Sequence, residues 1–134
     1  MAIEEAGIEN LNEWEKYEKS LDKSTFVDNW TWRKVIEKVY KLSNYWYLAK
    51  NDNKIEGLLA LTLTKHPIFG TYLVTAPFAN QGGFYADSET AFNTLLCKAK
   101  TIQRELNTRY VNIRHLDGGM NPPNGWQQDA VYAT

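Results

Sequence analysis

The stretch from Lys54 to Asp87, KIEGLLALTLTKHPIFGTYLVTAPFANQGGFYAD, limits this chain more than any other. Ile55 to Thr64 begins by alternating and then thickens into GLLALTLT, the pattern of a strand covered on both faces. HPIFG supplies a reversal, and Thr71 to Ala76 reads as the next strand. A paired glycine, Gly82-Gly83, follows and opens towards a long helix. Strand, glycine loop and helix N-terminus in that order can hold an anion, because free N–H groups and the helix dipole point the same way.

The rest of the chain supplies the layers such a strand needs. A length of 134 residues suits one domain with a real core. Net charge is −1, so the chain as a whole carries no basic field for DNA or anionic lipid. No apolar run approaches the ~20 residues of a membrane span, and the acidic MAIEEAGIEN is unlike a signal peptide. One cysteine, Cys97, rules out an internal disulfide and points to the cytoplasm.

In chain order, residues 2–8 suggest a short first strand. Asn10 with Glu13 resembles a capping box ahead of a helix over 11–21, on which Leu11, Trp14, Tyr17 and Leu21 share a face. Asp28 or Asn29 caps a second helix, about 30–41, with an apolar face of Trp32, Val35, Ile36, Val39 and Tyr40. Arg33, Lys34, Lys38 and Lys41 then make its other side positive: a solvated face, or a surface for a phosphate-bearing acceptor. YWYLAK from Tyr45 begins a strand, NDNK turns it, and three strands follow one another as an antiparallel meander. Asp87 or Ser88 caps the long helix, whose stripe is Ala91, Phe92, Leu95, Leu96, Ala99, Ile102 and Leu106. Tyr110 to His115 is a last strand, placed by the helix parallel to the strand ending at Ala76. Residues 116–134 read as a largely irregular tail ending in the strand-like AVYAT. The fold class is α+β, a mixed, mostly antiparallel sheet flanked by helices in the order β-α-α-β-β-β-α-β.

The segments TWRKVIEKVY, YWYLAKNDNKIEGLLAL, HPIFGTYLVTAPFANQGGFYAD and RYVNIRH carry, in that order, a resemblance to the N-terminal half of FemAB-like proteins within the GNAT acyltransferase superfamily. The likeness runs from Trp30 to Arg114. It implies a GNAT-like domain truncated before the fold's last elements, with a second GNAT-like half or a second copy of the chain as partner. Family members transfer an aminoacyl or other acyl group to an amine, typically on a cell-wall precursor. The resemblance implies acyl-CoA or aminoacyl-tRNA as donor in the full-length context, with no resident cofactor. It assigns donor chemistry mainly to the second half, so this chain contributes acceptor binding and scaffold and is inactive alone.

GNAT enzymes hold the CoA pyrophosphate in a Gln/Arg-x-x-Gly-x-Gly/Ala loop. Here the window is Gln81, Gly82, Gly83, Phe84, Tyr85, Ala86; Gln81 and Ala86 fit, and Phe84 stands where the middle glycine is needed. Gln81, Gly82 and Gly83 are therefore weak CoA-binding candidates, and the glycines serve equally to relieve a tight turn. Lys34, Asn80, Tyr85 and Arg114 are the substrate-binding candidates. Arg114 suits a carboxylate or phosphate, or a structural pairing with Asp87 or Asp117. Asn80 and Tyr85 stand where loop residues face a ligand, though Asn80 equally suits a turn. His66 and His115 lack partners at metal spacing, and Cys97 has no histidine pattern beside it, so neither a metal nor a catalytic thiol is expected. No residue stands out as a general base. A non-enzymatic binding or dimerisation module and a CoA-dependent N-acetyltransferase are the competing readings.

Overall fold

A computed structural model describes residues 1–21, 26–68, 70–77 and 82–113. Strand β1 (Ala2–Glu5) is followed by helices α1 (Leu11–Ser20) and α2 (Trp30–Lys38). The meander β2 (Ser43–Asn51), β3 (Lys54–His66) and β4 (Gly70–Thr75) comes next. A short β5 (Phe84–Ala86), the long helix α3 (Glu89–Glu105) and β6 (Val111–Asn112) complete the described elements. The sheet order is β1-β2-β3-β4-β6, with β5 also on β3. All pairings are antiparallel except β4 with β6, which run parallel in the register Leu73 to Val111 and Val74 to Asn112. The crossover through α3 is thus the one the sequence led us to expect. His115 and residues 116–134 lie outside the described residues.

Strand β3 is apolar throughout its centre because both its faces are covered. Leu59 and Leu61 pack with the α3 stripe, while Leu58 and Ala60 pack with Trp14, Tyr17, Trp30 and Trp46 on the opposite side. Ser88, not Asp87, caps α3 by accepting the Ala91 N–H at 3.1 Å. Asn107 follows the helix at φ 53, the left-handed conformation asparagine tolerates. The strand absent from the sequence reading is β5. Three residues are too few to show a period, and this strand exists because β3 extends past the end of β4 and offers Gly57 to Leu59 for pairing.

Helix α2 is rotated from the face its periodicity suggested. Trp30 and Ile36 are its buried residues, whereas Val39 and Tyr40 are exposed. Arg33 turns inwards: Nη1 donates to the Ala6 carbonyl at 2.6 Å, and the guanidinium lies 4.5 Å from the Trp30 ring centroid and 5.3 Å from that of Trp46. A cation between two indoles replaces the aliphatic residue that a simple stripe would have put there. The cap is Asn29, whose side chain accepts the Thr31 N–H at 2.8 Å, and this releases Asp28 for another role.

Asn10 does not cap α1 with its side chain; it accepts the Gly7 N–H and donates to Glu4 and Glu13. Lys50 Nζ reaches the same two carboxylates at 3.0 and 2.7 Å, clasping β1 and α1 to β2. The hydrogen bond from Lys50 is the main cause that holds Glu4 and Glu13 below their ordinary 4.5, and Glu13 in turn raises Lys50 above 10.5. The glutamates therefore stabilise the fold above 4.5 and lose that effect as pH falls through their lowered values. Lys50 contributes below 10.5 and stops as pH rises past its raised value. Both glutamates are exposed to solvent, so each pair is worth at most about 0.2–1 kcal/mol. Lys50→Met should cost about that much in urea titrations at pH 7 and less at pH 3. Equal costs at both pH values would assign the effect to packing instead of charge.

Candidate functional site

The parallel strands β4 and β6 finish at the same end of the sheet, and the chain leaves β4 there on an excursion that returns at Gly82. Ala76 departs at φ 49, and Gly82 and Gly83 come back at φ 130 and 79. A Cβ on Gly83 would stand 2.9 Å from Thr75 Cβ, 3.1 Å from the Ala60 carbonyl oxygen and 3.3 Å from Ala76 N. Positive φ and this backbone crowding together require glycine. The Gly83 carbonyl accepts from Ala60 N at 2.7 Å, setting the residue against β3 just before β5 begins.

Asp28 organises the return. It is wholly buried; Oδ1 accepts the Gly83 N–H at 2.6 Å and Oδ2 accepts the Tyr85 hydroxyl at 2.7 Å. Its own carbonyl accepts Trp14 Nε1 at 2.7 Å. One residue thus ties α1, the turn before α2 and the glycine return together. Burial first, and then the bond to Asp28, pushes the Tyr85 hydroxyl far above its ordinary range, so it stays a donor. Burial and then the charge of Asp28 also raise Glu18. Tyr17 is raised by burial and by Asp87 and Glu56. Burial is the first cause of all three shifts, and the neighbouring carboxylates Asp28, Asp87 and Glu56 add to it.

Across the sheet on this same side, Asn44, Thr62, Val74 and Asn112 occupy one register row. Thr62 donates to Asn44 at 2.8 Å, and Asn44 donates to the Arg33 carbonyl and to Glu37. At the other end of the row, Asn112 is 6% exposed and its Oδ1 has no hydrogen-bond donor among the described residues. Such an oxygen costs stability until an N–H or O–H meets it.

Of the residues singled out from sequence, Gly82, Gly83 and Tyr85 meet at this return. Lys34 is exposed on α2. Asn80, Gln81 and Arg114 lie outside the described residues. His66 accepts the Ile68 N–H at 3.1 Å within its turn. Cys97 is exposed on α3. Among the described residues no cluster of His, Cys, Asp or Glu could hold a metal ion. No helix there is long and apolar enough to cross a membrane. Asp28 and Asn112 were missed. The signal for Asp28 was the doublet Asp28-Asn29: a helix start uses one cap, so the other residue needs a different partner.

Solved structures share this fold. The crystal structure of FemX matches at TM-score 0.68 and 20% identity, over 84% of this chain and 27% of FemX. An aminoglycoside antibiotic 6'-N-acetyltransferase from Acinetobacter haemolyticus matches at TM-score 0.56 and 13% identity, over 83% of this chain and 77% of that protein. The fold is that of the GNAT acyltransferases. A probable acetyltransferase also matches, at TM-score 0.54 and 13% identity, covering 97% of this chain and 96% of its own. This GNAT-like chain therefore spans about a quarter of FemX, to which its fold is similar, and nearly all of the probable acetyltransferase. No protein-family model matches the sequence, and no curated protein does.

Proposed function

We propose that this chain is the acceptor-side domain of a FemAB-type acyl or aminoacyltransferase, binding an amine-bearing cell-wall precursor and supporting a partner domain that holds the donor. The observation that carries this reading is the hold of Asp28 on Gly83. A GNAT loop that cradles pyrophosphate presents its N–H groups to the ligand, whereas the Gly83 N–H is occupied by a buried carboxylate. A negative group in that position also repels phosphate. The acidic surroundings and the unpartnered Asn112 oxygen suit an amine or amide N–H. Acyl transfer to an amine rests on holding the two reactants in line and stabilising the oxyanion, so a domain devoted to orientation is chemically sufficient for this part of the task.

Titration calorimetry with a nucleotide-linked muramoyl peptide is expected to show binding, while millimolar acetyl-CoA leaves thermal unfolding unmoved. The similarity to a probable acetyltransferase over nearly its whole length favours CoA-dependent N-acetylation as the second reading. On that reading acetyl-CoA at 100 times its Kd would add about 2.7 kcal/mol to stability and the precursor would not bind. This second pattern would overturn the acceptor-domain reading.

A further inference from the structure

Helix α2 has two apolar stripes and the sheet uses one of them. Trp30 and Ile36 face inwards with Arg33. Trp32, Val35 and Val39 recur at three- and four-residue steps on the other side. Val39 is 67% exposed, and the flanking Phe26 and Tyr40 are 59% and 47% exposed. Phe26 meets Trp32 edge to face at 5.1 Å, and the Trp32 and Tyr40 centroids are 6.4 Å apart. The result is an apolar ridge along the outer side of one helix, with Phe26, Val39 and Tyr40 exposed and Trp32 and Val35 half-buried between them. Lys34 and Lys38 border it and Lys41 lies past its end, all exposed, while the nearby Glu37 carboxylate is engaged by Arg33 at 3.2 Å. The net charge of −1 averages this local excess away.

We propose that the outer face of α2 docks on an anionic lipid bilayer. Lysines beside an apolar ridge match a surface that is negative outside and hydrocarbon within. Phe, Trp and Tyr are the side chains that seat at the headgroup level. Val35 and Val39 decide between anionic partners: aliphatic side chains gain from acyl chains and have no stacking surface for a nucleic-acid base.

The test is flotation of the full chain with vesicles of phosphatidylcholine, with and without phosphatidylglycerol. Wild type should float with the anionic vesicles and stay behind with the neutral ones, and salt should weaken the association. Phe26→Ser/Val39→Ser and Lys38→Gln/Lys41→Asn should each lower the bound fraction about tenfold. Asparagine is chosen at Lys41 because its φ is 56, and circular dichroism checks that each variant is folded. Three results would overturn the proposal: no flotation with anionic vesicles, flotation indifferent to both variants, or a dimer in light scattering that the Ser variant dissociates. The last would make a second copy of the chain the occupant.

Discussion

Asp28→Ala should destabilise the folded chain by about 3–5 kcal/mol, enough to consume much of the 5–15 kcal/mol typical of a domain. The carboxylate accepts from Gly83 N at 2.6 Å and from the Tyr85 hydroxyl at 2.7 Å, with no exposure to water. Alanine leaves two donors inside the protein, and hydrogen bonds to a charged acceptor are worth about 1.5–3 kcal/mol each. Asp28→Asn offers one oxygen for two donors and should lose roughly half as much. Tyr85→Phe removes one donor and should cost less again. Urea titrations of the three variants give the order directly. A cost below about 1 kcal/mol for Asp28→Ala would mean that the glycine return is held by other contacts, and would remove the argument that Gly83 is unavailable to pyrophosphate.

Trp14→Ala should cost a comparable 3–5 kcal/mol, the range for deleting a buried indole. Trp14 is wholly buried, stacks on Trp46 at 4.6 Å between centroids with the planes 25° apart, and meets Trp30 edge to face at 5.9 Å. Its Nε1 donates to the Asp28 carbonyl at 2.7 Å. The ring docks α1 on the sheet and the N–H steers the turn that carries Asp28. Trp14→Phe keeps most of the apolar contact and loses the hydrogen bond, so about 1–2 kcal/mol is expected. The midpoint of urea unfolding should fall for both variants with the slope unchanged. A loss for Trp14→Phe equal to that for Trp14→Ala would show that the hydrogen bond outweighs the packing.

These two residues were not equally legible. Trp14 announced itself by spacing, since Leu11, Trp14 and Tyr17 share a helical face and α1 needs a side to bury. Asp28 looked like a helix cap, and its real partners lie 55 and 57 residues further on. No local period records such a contact. The α2 face was misread for the same reason. Trp32, Val35, Ile36, Val39 and Tyr40 make the better apolar stripe on paper, yet only Ile36 of them is buried, because Arg33, held between two indoles and the Ala6 carbonyl, turns the other side to the sheet. Within the glycine loop, Tyr85 was named as a substrate-binding candidate and Gly82 and Gly83 as weak CoA-binding candidates, and the tie of Gly83 and Tyr85 to Asp28 was not foreseen.

The sequence by itself determined the succession of elements other than β5, the doubly covered β3, the α3 stripe and its crossover, because period, turn residues and caps are properties of neighbours along the chain. Only the tertiary structure decided which face of α2 is buried, where Asp28 finds its donors, that β5 exists, and that Asn112 Oδ1 meets no donor among the described residues. Each of those depends on pairs of groups brought together from distant parts of the chain. Their energies are set by burial and hydrogen-bond geometry, which local pattern does not encode.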